Sequence, residues 1–172
     1  MGYILSLFLN LIGCGGNNLF YLKDEEAEAE EDVKKIVASI FQILETKDVE
    51  GFKNLFDQSV IDMSDYKEGS DYTFNIFEGT VVSVSKKYIR SGGRTSNQED
   101  SYSTITASFD ISTDKNEYVL FFQYYSNHDE TIRIDKLTKF KLLLVSDIEK
   151  YDGFRDMTAK LGIFYPGWVN IP

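Results

Sequence analysis

Residues 103–111 have the sequence Ser-Thr-Ile-Thr-Ala-Ser-Phe-Asp-Ile, in which polar and apolar side chains alternate. Strict alternation is typical of a β-strand with one buried face and one exposed face. Comparable patterns, rich in β-branched and aromatic residues, predict three more strands. These strands are expected at residues 80–89, 118–125 and 131–145, the last of them bent near 135–138.

The connections between the predicted strands are short and polar. Residues 113–117 and 127–130 have the composition of tight turns, and neither is long enough for a crossover between parallel strands. The strands they join should therefore be antiparallel neighbours. Residues 90–100, which include Gly92-Gly93, are predicted to form a loop or the tip of a long hairpin.

Helical patterns precede the strands. Over residues 25–46 an apolar stripe repeats every three or four positions, formed by Val33, Ile36, Val37, Ile40 and Leu44. Asp48 can accept the free backbone N–H groups at the start of a second, short helix. The apolar face of that helix would be Val49, Phe52, Leu55 and Phe56. A third helical stretch, residues 59–77, is predicted to break near Gly69-Ser70, with Asp71 capping the second part.

Helices followed by strands are typical of an α+β fold in which the helices cover one face of the sheet. We therefore expect two to three N-terminal helices packed on a four-stranded antiparallel sheet. The predicted domain organisation is a single α+β domain over residues 25–172, preceded by a signal peptide at 1–13 and a tether at 14–24.

The N-terminal segment carries the most specific motif. Residues 1–13 are uncharged and mostly apolar, and they end in Leu11-Ile12-Gly13 before Cys14, the only cysteine. This run is too short to cross a bilayer but suits the apolar region of a signal peptide. It resembles the lipobox of bacterial lipoproteins, which implies lipid attachment at Cys14 and location on the outer face of the cell membrane. The first basic residue is Lys23, so the usual positive start is missing. The alternative is an apolar segment with a buried free cysteine.

The chain is acidic, with a net charge of −10. Such a chain is repelled by nucleic acid and by anionic lipid headgroups. We therefore expect no nucleic-acid partner, and contact with the membrane only through the lipid. The acidic run Asp24–Asp32 suits the first turns of a helix, where the helix dipole favours negative charge. No pattern of metal ligands or cofactor-binding glycines is present, so neither a metal nor a cofactor is predicted.

The order of helices and strands resembles the cystatin-like cone of the nuclear-transport-factor-two superfamily. More narrowly, the chain resembles a family of Firmicutes lipoproteins, Domain of Unknown Function 5104. Four segments carry this resemblance: the lipobox ending at Cys14, residues 48–56, residues 77–79 and residues 162–166. The final residues, 167–172, depart from the family pattern. The resemblance implies a curved sheet and a surface location, and it offers no catalytic residues.

Two arrangements could carry chemistry. His128 is the only histidine, and it lies beside Asp129 in a predicted turn, but no nucleophile pattern accompanies it. The superfamily resemblance suggests a second arrangement, an isomerase-type site of a tyrosine and a protonated carboxyl inside the cone. Asp110 and Tyr124 are the candidates, although Asp110 falls on the polar face of its strand. The sequence supports each of these catalytic arrangements less well than it supports a non-catalytic function.

Residues 118–125 are apolar on both faces. Tyr118, Leu120, Phe122 and Tyr124 share one face, and Val119, Phe121 and Tyr125 share the other. A strand of this kind must be covered on both sides. The C-terminal segment 162–172, through Phe164, Tyr165 and Trp168, could cover the second face. A second subunit, giving a homodimer through the outer sheet face, is the alternative.

These patterns favour a membrane-anchored extracytoplasmic lipoprotein with a non-enzymatic binding domain. Its ligand would be a small apolar molecule, a peptide or a partner protein, with Tyr118, Phe122 and Tyr124 as candidate ligand-binding residues. Two alternatives stay open. One is an enzyme of the isomerase or dehydratase type that uses a buried carboxyl. The other is a protective or immunity lipoprotein whose acidic surface binds a basic partner.

Overall fold

A computed structural model of the chain describes residues 22–94, 102–127, 136–150 and 161–166. Within these residues the fold is α+β, with an open five-stranded sheet in the order β1-β2-β3-β4-β5. The helices are α1 (Leu22–Thr46), α2 (Val49–Asn54), α3 (Gln58–Ile61) and α4 (Tyr66–Ile76). The strands are β1 (Val81–Arg94), β2 (Tyr102–Thr113), β3 (Glu117–Asn127), β4 (Leu137–Leu144) and β5 (Gly162–Phe164). A 3₁₀ helix, Val145–Lys150, follows β4.

The apolar stripe of α1 is confirmed. Val33, Val37, Ile40 and Leu44 are buried, and they belong to one core cluster with the apolar face of β2. The cap of α2 is also confirmed, because the Asp48 carboxylate accepts the backbone N–H of Gly51 at 2.9 Å. Val49, predicted for the apolar face of α2, is instead 56% exposed. It is the first residue of the helix, and its side chain lies on the solvent side.

The third helical stretch divides at a different place from the prediction. The break falls between α3 and α4, so Gly69 and Ser70 are buried inside α4. Gly69 is small because β5 lies against it: a Cβ at this position would be only 2.8 Å from the Cβ of Ile163. Asp71 is not a cap, since it lies within α4 and pairs with Lys67 one turn earlier.

The four predicted strands are present, and each has limits that differ from the prediction. β1 extends through Arg94, so residues 90–94 belong to a strand and not to the predicted loop. The turn at 113–117 is confirmed by a 2.9 Å bond from Thr113 N–H to the Asn116 carbonyl. β4 begins at Leu137, and the register shift opposite Tyr124 lies close to the predicted bend. Residues 128–135 are outside the described residues.

The sheet has five strands, and the four-stranded antiparallel prediction is corrected at its far edge. β1 to β4 form antiparallel neighbours, but β5 pairs parallel to β4, with Phe140 opposite Ile163. For Gly162–Phe164 this pairing confirms that the C-terminal segment packs on the sheet edge. Trp168 lies outside the described residues, so its part in that prediction is untested.

The two faces of the sheet have different neighbours. The inner face carries Ile105, Phe109, Leu120, Phe122 and Phe140, which form the core together with the helices. The opposite side, which we call the outer face, holds a second small cluster of Tyr88, Phe121 and Phe164. A ligand or partner would therefore meet different side chains on the two faces.

Candidate functional site

The candidate ligand-binding residues Tyr118, Phe122 and Tyr124 all lie on the inner face and are at most 1% exposed. Their rings stack in the core, with 6.4 Å between the ring centres of Phe122 and Tyr124. The Tyr118 hydroxyl donates to the Ile76 carbonyl and accepts the Glu78 N–H, both at 2.9 Å. Side chains thus fill this part of the interior. A ligand role for the three residues stays a prediction.

The isomerase-type pair does not come together. Asp110 is on the outer side of β2, where its carboxylate lies 2.6 Å from the Lys87 Nζ. Tyr124 is on the inner side of β3 and buried in the core. The sheet separates the two side chains, so they cannot act on one substrate. Cys14 and His128 are outside the described residues.

Two shallow depressions lie near the same end of the sheet. One, of about 590 Å³, is formed by the β2–β3 turn and the residues after β4. The other, of about 410 Å³, lies between the ends of α1 and α4. Lys47 crosses this second depression, because its Nζ donates to the carbonyls of Phe74 and Phe77 at 2.6 and 2.7 Å. A cation is favourable at the carboxyl end of a helix, so Lys47 joins α1 to α4.

The β3–β4 half of the outer face is closed to solvent. We call it the closed outer surface, and its buried residues are Val119, Phe121, Lys139, Lys141, Leu143 and Phe164. Since one chain buries these side chains, a second subunit is not required to remove them from water. The predicted homodimer through this face stays a prediction.

Lys141 is the unusual member of the closed outer surface, because its side chain is 0% exposed. Its Nζ lies 5.8 Å from the centre of the Phe121 ring. Burial lowers the pKa of Lys141 from 10.5 to about 7, since apolar surroundings disfavour the charged ammonium. Burial also lowers the pKa of Lys139. Sequence analysis missed both lysines, because alternation with Phe140 and Leu142 predicts a solvated polar face.

The β1–β2 half of the outer face remains accessible. We call it the open outer surface, and it comprises Ser83, Ser85, Tyr88, Arg90, Thr106 and Asp110. The register places Tyr88 opposite Ser108 and Arg90 opposite Thr106. The guanidinium of Arg90 lies over the Tyr88 ring, 4.8 Å from its centre. Hydroxyls, one aromatic ring and the Arg90 cation are thus presented on one strand pair, which can bind a polar partner by hydrogen bonds.

The residues that the structure describes contain no candidate metal site and no candidate membrane-spanning helix. In residues 22–94, 102–127, 136–150 and 161–166, His, Cys, Asp and Glu side chains form no group of three suited to a metal ion. In the same ranges, none of the helices combines the length and apolar character needed to cross a bilayer.

Helices on one face of an open, largely antiparallel sheet define an α+β domain. The chain belongs to the family described as Domain of unknown function (DUF5104), whose model matches residues 39–136. The match includes residues 48–56 and 77–79 but neither Cys14 nor residues 162–166. No curated protein and no solved structure matches the sequence.

Proposed function

We propose that this protein is an extracytoplasmic lipoprotein, held on the outer face of the bacterial membrane through lipid on Cys14. Its α+β domain would act as a non-enzymatic binding domain. The anchor rests on the uncharged apolar run before Gly13 and Cys14. Two acyl chains on one cysteine give stable attachment, where a single chain gives only marginal binding.

We also propose that the domain has the cystatin-like cone of the nuclear-transport-factor-two type. Two features support this assignment: the long helix α1 shares a core with the antiparallel strands, and further helices follow it before the first strand. Buried aromatic residues, among them Phe52, Phe77 and Phe140, would fill the interior of this cone. Binding would then occur outside the cone.

The observation that carries the binding proposal is the difference between the two faces of the sheet. The inner-face aromatic residues are committed to the core, whereas the open outer surface presents Ser85 and Arg90 to solvent. An exposed strand pair with hydroxyl and guanidinium donors can form directional bonds to a partner. We therefore place the binding surface on β1 and β2.

Site-specific photo-crosslinking in living cells tests both parts of the proposal. A crosslinking amino acid at Ser85, on the open outer surface, should give a discrete product in the membrane fraction. The same crosslinking amino acid placed at Gln42, an exposed position on α1, should give no such product. Equal products from both positions, or none from Ser85, would show that β1 and β2 do not form the binding surface.

The lipid anchor is tested separately: Cys14→Ser should move the protein out of the membrane fraction. Its retention after a high-salt wash would remove the lipid anchor from the proposal.

A further inference from the structure

The edge of the sheet at β1 has the features of a docking site for an extended peptide. We infer that residues 88–94 accept an acidic segment of another protein as an additional strand next to β1. This inference rests on the proposed binding function and names the partner by its chemistry. The occupant is an extended chain that carries carboxylates, bound through backbone hydrogen bonds and through cations of β1.

β1 is an edge strand among the residues that the structure describes, since it has β2 on one side and no described strand on the other. It is 14 residues long, whereas the opposite edge strand, β5, has 3. An edge strand presents alternate N–H and C=O groups outward, ready to pair with another chain. β1 is therefore long enough to form a ladder of backbone hydrogen bonds with a partner strand, whereas β5 is too short.

The two halves of β1 differ in regularity. Register shifts with β2 occur at Val82 and Lys87, and bulges of this kind hinder pairing with another strand. From Tyr88 to Arg94 the pairing with β2 proceeds without a shift. This regular half contains Gly92, where the nearest neighbour of an added Cβ would be the Thr104 carbonyl oxygen, 4.0 Å away. A small residue in open space leaves the strand backbone accessible to a partner.

The charge of β1 is opposite to that of the whole chain. β1 contains Lys86, Lys87, Arg90 and Arg94 and no acidic residue, whereas the chain has a net charge of −10. Lys86 and Lys87 are neutralised by Glu30 at 3.0 Å and Asp110 at 2.6 Å. In the regular half, Arg90 is exposed and takes part in neither of these ion pairs, so its charge is available to a partner.

Arg90 is the best placed of these cations. Its guanidinium lies over the Tyr88 ring, and the ion pairs found among the described side chains do not include Arg90. A guanidinium above an aromatic ring still directs N–H donors outward in its own plane, where they match a carboxylate. Pairing with a second copy of β1 would instead bring cations together, and like charges on adjacent strands are destabilising. The charges therefore favour an acidic partner over a homodimer at this edge.

The probe for the test is a fluorescent peptide with alternating valine and glutamate, acetyl-Thr-Val-Glu-Val-Glu-Val-Thr-amide. Its binding to the full chain in a neutral detergent is measured by fluorescence anisotropy. We expect saturable binding that weakens between 150 and 500 mM salt, because salt screens exposed charges. A peptide with lysine in place of glutamate should not bind. Equal binding of the two peptides would overturn the inference.

Backbone methylation of the probe tests strand addition directly. Methyl groups on the amides of one edge of the peptide remove the donors that face β1, while methylation of the alternate amides leaves them intact. One methylated peptide should lose binding and the other should keep it. Binding that tolerates both patterns would show that the peptide does not add as a strand.

A matched pair of protein variants tests the position. Arg90→Glu should weaken peptide binding by about three- to tenfold, the range expected for reversal of one exposed charge. Lys53→Glu changes the net charge equally at an exposed site on α2 and should leave the affinity unchanged. Equal effects of the two variants would assign the binding to overall charge and overturn the inference.

Failure of this inference can be told apart from failure of the proposed function. A discrete crosslink from Ser85 in cells, together with no peptide binding, would reject the acidic strand and retain the binding domain. Self-association of the full chain that Arg90→Glu strengthens would identify a second copy as the occupant of the edge, and would overturn the inference in the same way.

Discussion

Replacing Lys141 by methionine removes the charge from a side chain that is 0% exposed in the closed outer surface. Burial lowers the pKa of this lysine from 10.5 to about 7. Because the folded-state pKa lies below the unfolded-state pKa, folding releases a proton between these two pH values. The penalty for the buried charge is complete below about pH 7. It is relieved as the pH rises toward 10.5, so stability should increase over this window.

The magnitude follows from the size of the pKa change. At about 1.4 kcal/mol per pKa unit, the fall from 10.5 to about 7 sets an upper limit of about 5 kcal/mol on the effect of pH. Methionine keeps the length of the side chain without the charge. Lys141→Met should therefore raise the free energy of unfolding at pH 6 by about 1–4 kcal/mol, as when other buried ionic groups are replaced by apolar ones.

Urea unfolding followed by circular dichroism at pH 6, 7.5 and 9 measures this effect. The difference between Lys141→Met and the parent protein should be largest at pH 6 and shrink as the pH rises. Lys53→Met, at an exposed position on α2, should show no such dependence. A Lys141→Met variant that is less stable than the parent at pH 6 would refute the reasoning. It would mean that the ammonium makes interactions worth more than its burial costs.

Three further predictions concern the core and use the same unfolding assay. Ile40→Ala should cost about 2–5 kcal/mol, as for other buried truncations, and a loss under about 0.5 kcal/mol would contradict the packing of α1. Tyr118→Phe should cost about 1 kcal/mol because two partly buried backbone groups lose their hydrogen-bond partner, while Tyr88→Phe on the outer face should be nearly neutral. Gly69→Ala should cost about 1–3 kcal/mol by crowding Ile163, although alanine favours helices, and a gain in stability would mean that β5 does not lie against α4.

Local sequence patterns correctly predict several helices and strands of the fold. Alternation over residues 103–111 identifies β2, and the stripe from Val33 to Leu44 identifies the buried face of α1. Asp48 identifies the start of α2, because a cap acts within three residues. In each case the sequence signal lies within a few positions along the chain, although the contacts that bury α1 and that pair β2 with β1 and β3 involve distant residues.

Glycine is the main source of error, because its local and tertiary uses look alike in sequence. Gly69 predicts a helix break, yet it lies inside α4 where Ile163 approaches from β5. Gly92 predicts a loop, yet it lies within β1. Both predictions rest on the conformational freedom of glycine. At Gly69 the structure uses the small size of the residue instead. A Cβ at Gly92 would meet only the Thr104 carbonyl oxygen at 4.0 Å, so glycine is simply accommodated there within a strand.

The features that matter most for binding are the least accessible to sequence analysis. β5 has only 3 residues, and its strand character comes from pairing with β4, more than 20 positions away. Lys141 alternates with apolar residues like any residue of an exposed face, and it is buried only in the folded chain. The division of the outer face into a closed and an open half also arises only on folding, so the candidate site depends on tertiary structure as well.

The acidity of the chain restricts which acidic partner can reach β1. A net charge of −10 repels an acidic peptide at long range, while the cations of β1 attract it only near the edge of the sheet. At physiological ionic strength the screening length is about 8 Å, close to the distance between a few neighbouring side chains. Repulsion from distant carboxylates is then weak, and Arg90 can dominate the contact. A partner with a few carboxylates on a short extended segment suits this balance, whereas a long polyacidic chain would meet the rest of the acidic surface.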